Sequence, residues 1–220
     1  EQHRDIFHLT GIDQEETILL LYPPSKDDTT REILFITKSE KHTKVWEGEK
    51  LSKKQANELS GIDSIYFIDD FKDILSSIAT KVDTFYINKN EHYRANSPVE
   101  TREDRFISWL LKKYPAHNVA KSNPILQRQR SIKHPDEIDQ IKKACDITRK
   151  GFNRVLEFIK PNVWEYEIEA EFIHEFINSS SKGFAYSPII ASGNDNNVLH
   201  YVKNNKPVSY THLTLPTIAG

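Results

Sequence analysis

Three places in the sequence hold side chains whose types and spacing could do chemistry. The first is His200, in L-H-Y at 199–201. It follows a polar segment, residues 192–197 (S-G-N-D-N-N), rich in Gly and Asn. Apolar runs at 188–191 and 198–199 flank that segment, the pattern of two strands joined by a turn. An imidazole on such a strand, beside a turn, can pass a proton or donate a hydrogen bond into a cleft. It can equally be a core histidine. The second place is Glu171, His174 and Glu175. Here E-x-x-H occurs as a single copy, whereas di-metal bundles use it in pairs. A zincin helix would need histidine at 178, where Asn178 stands. These three are read as helix surface. The third is Cys145, on an apolar stripe, which fits a core residue better than a nucleophile.

The elements that must position these groups fall into two styles. Before residue 125, short apolar runs alternate with helical patterns. Residues 17–22 (T-I-L-L-L-Y) and 32–37 (E-I-L-F-I-T) are continuous apolar runs, as in strands buried on both faces, and together predict a hairpin inside a sheet. A polar loop is read at 26–31. Ser52 with Gln55 three residues on is a capping box, and the helix it opens should end at Gly61. Residues 64–68 and 84–87 read as strands, and 117–120 as a last one. A helix is expected over 71–79, capped by Asp69 or Asp70. Another is expected over 100–114, with Phe106, Ile107, Leu110 and Leu111 on its buried face and Pro115 stopping it. Alternation of this kind predicts an α/β domain with a mixed sheet.

Residues 122–134 read as the junction, punctuated by Pro124 and Pro135, with Arg128, Arg130 and Lys133 on a solvated linker face. Long helices follow. Pro135 suits the first helical position, with Asp136 and Glu137 opposing the dipole. An apolar stripe of Ile138, Ile141, Ala144, Cys145, Ile147, Phe152, Val155 and Leu156 runs to Ile159, and Pro161 ends it. The next helix covers 164–180, with Ile168, Phe172, Phe176 and Ile177 on one face and Asn162 as its expected cap.

Composition narrows the function classes. The chain has 220 residues, 37% hydrophobic, enough for one large domain or two small ones. Thirty basic and 32 acidic residues leave a formal charge of -2, which gives no reason to expect nucleic acid or an anionic membrane as partner. The single cysteine excludes an internal disulfide and favours a reducing, cytoplasmic home. No apolar run reaches the ~18 residues needed to span a bilayer. The chain has no methionine and starts at Glu1, so its true N-terminus is expected upstream.

The stretch 186–204 resembles the pita-bread metallopeptidases, and within them aminopeptidase P (Xaa-Pro aminopeptidase). The residues carrying the resemblance are Tyr186, Ile189, Gly193, Leu199, His200, Tyr201 and Asn204, in register without a gap. F-H-L-T-G-I-D-Q-E-E-T-I-L-L-L near the start resembles the creatinase-type N-terminal domain of the same proteins. V-W-E-G-E-K-L at 45–51 resembles a segment aminopeptidases P often carry. The chain departs from the family at Trp164, where a Thr or Ser cap is usual.

This resemblance implies an N-terminal creatinase-like α/β domain over 1–125 and the opening of a pita-bread domain over 126–208. It implies a dinuclear enzyme that removes the first residue from peptides with proline second, using two divalent cations, commonly manganese, and often working as a dimer or tetramer. In such enzymes the ligands are two Asp, one His and two Glu, and all are expected beyond residue 208. His200 would then be catalytic, donating to substrate or the developing oxyanion. Tyr186 would line the substrate pocket, and Trp46 would reach a neighbouring subunit's pocket. The tail 209–220 (S-Y-T-H-L-T-L-P-T-I-A-G) has no acidic residue and is expected to be foreign. The fragment is expected to be inactive by itself. Same-fold alternatives are a prolidase, a creatinase-like hydrolase or a non-enzymatic binding module.

Overall fold

A computed structural model describes residues 4–22, 32–39, 41–88, 98–209 and 213–214. The loop read at 26–31 and most of the tail lie outside the described residues. The chain divides into two compact units, 1–131 and 132–220.

The first unit is organised by one apolar run. In β2 (Glu32–Ile36) the four residues Ile33 to Ile36 are all buried. A strand sends alternate side chains to opposite faces. Leu34 and Ile36 therefore pack with Ile12, Ala56, Ile62 and Ile65. Ile33 and Phe35 pack on the other side with Phe71, Leu75, Ile78 and Leu110. β2 is central because it pairs antiparallel with β1 (Ile18–Leu21) and parallel with β3 (Ile65–Phe67). The mixed sheet is the one expected. β1 does not match its reading as a fully buried strand: it has a partner on one side in the described sheet, and Leu21 is exposed.

Helices alternate with the strands. α1 (Arg4–Thr10) comes first, then α2 (Lys41–Glu47) and α3 (Lys53–Ser60). α3 starts at the expected capping box. The Gln55 amide donates to Ser52 Oγ at 3.3 Å, and the Ser52 amide donates to Gln55 Oε1 at 2.9 Å. Gly61 ends it at φ 71°, a left-handed conformation that favours glycine. α4 (Phe71–Ala79) has the expected bounds, but neither Asp69 nor Asp70 caps it. A 3-10 turn over Ile68–Asp70 runs straight into it, and Asp70 already has helical angles. β4 (Thr84–Ile87) pairs in parallel with β5 (Asn118–Lys121) around α5 (Arg102–Lys113). Leu111 of α5 is exposed rather than buried. The junction is not a bare linker: α6 (Asn123–Ser131) occupies it, and Arg130 there forms an ion pair with Asp5 at 2.6 Å.

The second unit is built on two packed helices, α7 (Pro135–Phe158) and α8 (Glu165–Asn178). Their close approach is made at Gly151. A Cβ there would lie 2.8 Å from Phe176 Cε1 and 2.9 Å from Phe172 Cδ1. The core gathers Val155, Val163, Ile168, Phe172, Phe176, Ile190 and Val208. The stripe read on α7 is buried only toward its C-terminal half. Ile138, Ile141 and Leu156 are exposed, and so is Cys145, so its reading as a core residue is overturned. Ile177 of α8 also faces out. Asn162 does not cap α8. It takes φ 72°, its backbone donating to Val208 O, and Trp164 occupies the cap position with its amide on Glu167 Oε2. The short strand β6 (Ala191–Ser192) pairs antiparallel with β7 (Leu213–Thr214).

Candidate active site

The segment around His200 is irregular backbone, and polar side chains hold it. After β6 comes a 3-10 turn, Gly193–Asn197, and then a tight turn. The Tyr201 amide donates to Val198 O at 3.2 Å, which puts Leu199 and His200 at the turn's corners. His200 is therefore not on a strand, as its apolar neighbours suggested. Both Leu199 and His200 are exposed, Leu199 by 81%. The apolar run at 198–199, which reads as a strand, forms none, and both of its residues are exposed.

What fixes the turn is a buried carboxylate. Glu165, the first residue of α8, has no exposed surface. Its Oε1 accepts from the Ser192 amide at 2.8 Å and from Ser192 Oγ–H at 3.1 Å. Its Oε2 accepts from Tyr201 O–H at 2.7 Å and from the Lys206 amide at 3.1 Å. Its own amide donates to Lys206 O at 2.9 Å. A carboxylate offers about four lone-pair directions, and here all are used. The N-terminus of α8 adds favourable dipole. A buried carboxylate would otherwise be costly.

A second clamp closes the base of the segment. Asn204 is buried, at φ 43°. Its Oδ1 accepts from the Ile190 amide at 3.0 Å, and its Nδ2 donates to Pro188 O at 3.1 Å and to Glu169 Oε2 at 2.9 Å. Asparagine tolerates this left-handed conformation better than most residues. At the rim, Lys206 pairs with Asp195. That hydrogen bond raises the Lys206 pKa above its ordinary value. Burial, and then the hydrogen bond to Glu165, raises the Tyr201 phenol pKa. Tyr201 therefore stays a neutral donor.

His200 lies within this clamped segment, and two residues before its first clamped position, Pro188, lies Tyr186, about half exposed. Phe184, two residues earlier, packs edge-on against Phe176 with ring centres 5.0 Å apart. Trp46 lies in the first unit, on α2, and is 78% exposed. Glu171 takes an ion pair with Arg154, and Glu175 accepts from Ser179 Oγ. His174 is exposed, as a helix-surface residue is. Among the described residues, no three His, Cys, Asp or Glu side chains converge as a metal-holding group. The described residues do not fit a metal pair.

Sequence reasoning missed Glu165, Ser192, Asn204 and Lys206 as parts of the site. Asn204 was noted for its register alone. Glu165 looked like an ordinary acidic residue in a helix's first turn. The available signal was that a Glu at this place, next to the apolar Trp164, opens a helix whose usual cap is missing.

Residues 1–86 match the aminopeptidase P N-terminal domain, and residues 139–218 match metallopeptidase family M24. The chain joins an aminopeptidase P N-terminal domain to an M24 metallopeptidase domain. The M24 match runs into the tail read as foreign, where β7 pairs with β6. Among relatives, the chain is 26% identical over 212 residues to the Xaa-Pro aminopeptidase of Haemophilus influenzae, covering 95% of this chain and 46% of that protein. A Bacillus anthracis structure, provisionally assigned as aminopeptidase P, superposes with a TM-score of 0.88 at 29% identity, over 97% of this chain and 51% of that one. A zinc-substituted Escherichia coli aminopeptidase P in complex with product gives a TM-score of 0.80 at 25% identity, over 94% and 47%. The chain thus spans about half the length of the aminopeptidase P relatives it matches. Its mixed α/β architecture is that of these structures.

Proposed function

We propose that the chain is part of a dinuclear-metal hydrolase that removes the N-terminal residue from peptides with proline second. The observation that carries this is an exposed imidazole at a turn corner, in a segment tied down at Ser192, Tyr201, Asn204 and Lys206. An aimed, water-accessible donor on a fixed backbone suits stabilisation of charge that develops on a substrate carbonyl. A core histidine would be buried instead. His200 is the catalytic donor in this reading. Tyr186 lines the pocket, and Trp46 serves a neighbouring subunit of a dimer or tetramer. The parent enzyme holds two divalent cations, manganese in this reading, in a cytoplasmic setting. Proline-containing peptides are its substrates. With the ligands beyond residue 208, as the resemblance implies, the 220-residue chain would not cleave peptides by itself.

Two measurements test this. Reading the source gene past residue 208 should reveal paired aspartates, then a histidine and two glutamates. A long open frame without them overturns the enzymatic reading. In the protein that carries those ligands, His200→Ala should lower kcat about a hundredfold to a thousandfold, the usual effect of removing one oxyanion donor. Unchanged kcat removes His200 from the mechanism. Release of an N-terminal residue from an Xaa-Pro peptide by the 220-residue chain with manganese would overturn its predicted inactivity.

A further inference from the structure

We propose that Glu165 is the positioning residue for His200: it sets where the imidazole points by holding both flanks of its turn on one carboxylate. This deepens the reading of His200 as the substrate-facing donor and rests on it. Three observations converge. Glu165 binds Ser192, ahead of the turn, through Oε1, and Tyr201 and Lys206, behind it, through Oε2. One rigid group thereby fixes the separation of the two flanks. Next, Tyr201 is covalently adjacent to His200 and closes the turn through its own amide on Val198 O, so the phenol anchor and the imidazole share one turn. Last, Glu165 is the first residue of α8, whose Ile168, Phe172 and Phe176 are buried in the unit's core. The carboxylate is as fixed as the helix. His200 itself is exposed and draws its placement from these neighbours.

The chemistry demands a carboxylate. All the groups facing Glu165 are donors: two amides, a serine hydroxyl and a phenol. Glutamine has the same shape but turns one acceptor into a donor. An amide nitrogen would then face either Ser192 or the Tyr201 and Lys206 pair. A fully satisfied buried network is rigid, whereas a partly satisfied one is not.

The test uses the 220-residue chain with NMR of its histidine rings, the His200 signal being identified by its disappearance in His200→Asn. Amide exchange is followed in parallel. The wild type should give a single His200 signal. Glu165→Gln and Tyr201→Phe should each broaden or split it, and should speed amide exchange at Ser192 and Lys206 about tenfold or more, as expected when a hydrogen bond to a charged group is lost. Exchange at Phe172 in α8 should not change. A His200 signal untouched by both variants overturns the proposal. So does uniform acceleration that includes Phe172, because Glu165 would then be a general support of the unit. If Glu165→Gln does not fold, Tyr201→Phe decides, since it removes one oxygen and leaves the ring in place. None of these readouts involves catalysis. The functional reading fails through kcat in His200→Ala, and this one through the His200 signal.

Discussion

The sheet of the first unit and the clamped turn of the second solve the same problem, fixing a backbone, by opposite means. β2 is held by shape and burial. Ile33, Leu34, Phe35 and Ile36 fill two apolar layers. Burial is non-directional, so many side chains of similar volume would serve. The turn at His200 is held by direction. Glu165 meets Tyr201 and Ser192 at hydrogen-bond distances, Asn204 ties Ile190 to Glu169, and most of the side chains at the turn itself face water. Here volume matters little and the identity of each polar atom matters greatly.

The comparison can be broken at either end. The largest effect should come from Phe35→Ala. Phe35 has no exposed surface and meets Phe71 edge-on, with ring centres 5.1 Å apart. Its truncation should cost about 3–5 kcal/mol, read by urea unfolding and by exchange of the β2 amides. A cost near zero would mean the layer collapses freely. Tyr201→Phe should cost less, about 1.5–3 kcal/mol, confined to the second unit. Its sharper signature lies in pH. The folded Tyr201 pKa stands above its ordinary value of 10.0, so the protonated phenol is favoured in the folded state. That contribution is fully present below the unfolded pKa and is lost as pH rises through the folded one. Wild type should therefore lose stability in the alkaline range more steeply than Tyr201→Phe, and parallel alkaline curves would contradict the clamp. The smallest effect should be Ile36→Val, about 0.5–1.5 kcal/mol, because a missing methyl leaves the layer's shape intact. If Ile36→Val proved costlier than Tyr201→Phe, tolerance would lie in the turn and not in the sheet.

The same contrast decides how much could be read from the sequence. The capping box at Ser52 and Gln55, the glycine stop at 61 and the bounds of α4 are local, so a few consecutive residues carry each one. The burial of β2 showed itself as an unbroken apolar run. Only its register with a family singled out His200, and it lies in a turn instead of the strand its neighbours suggest. Gly193 to Asn197 wind into a 3-10 turn, and Val198, Leu199 and His200 are too short a run to pair. Cys145 and the first turns of α7 misled for another reason. An apolar stripe announces a buried face, but it does not say what buries it, and in this chain Ile138 and Ile141 are exposed. Glu165 was silent because its meaning depends on residues far along the chain.

That distance has a kinetic consequence. Glu165 bonds to residues 27, 36 and 41 positions ahead of it. None of these bonds can form while α8 is unbuilt, and each must first meet the entropy of closing its own loop. The α7 and α8 helices are local and dock through Gly151, so they assemble early. The His200 turn should then be the last part of its unit to settle in folding, which amide-exchange labelling during refolding would read as late protection of Ser192 and Lys206.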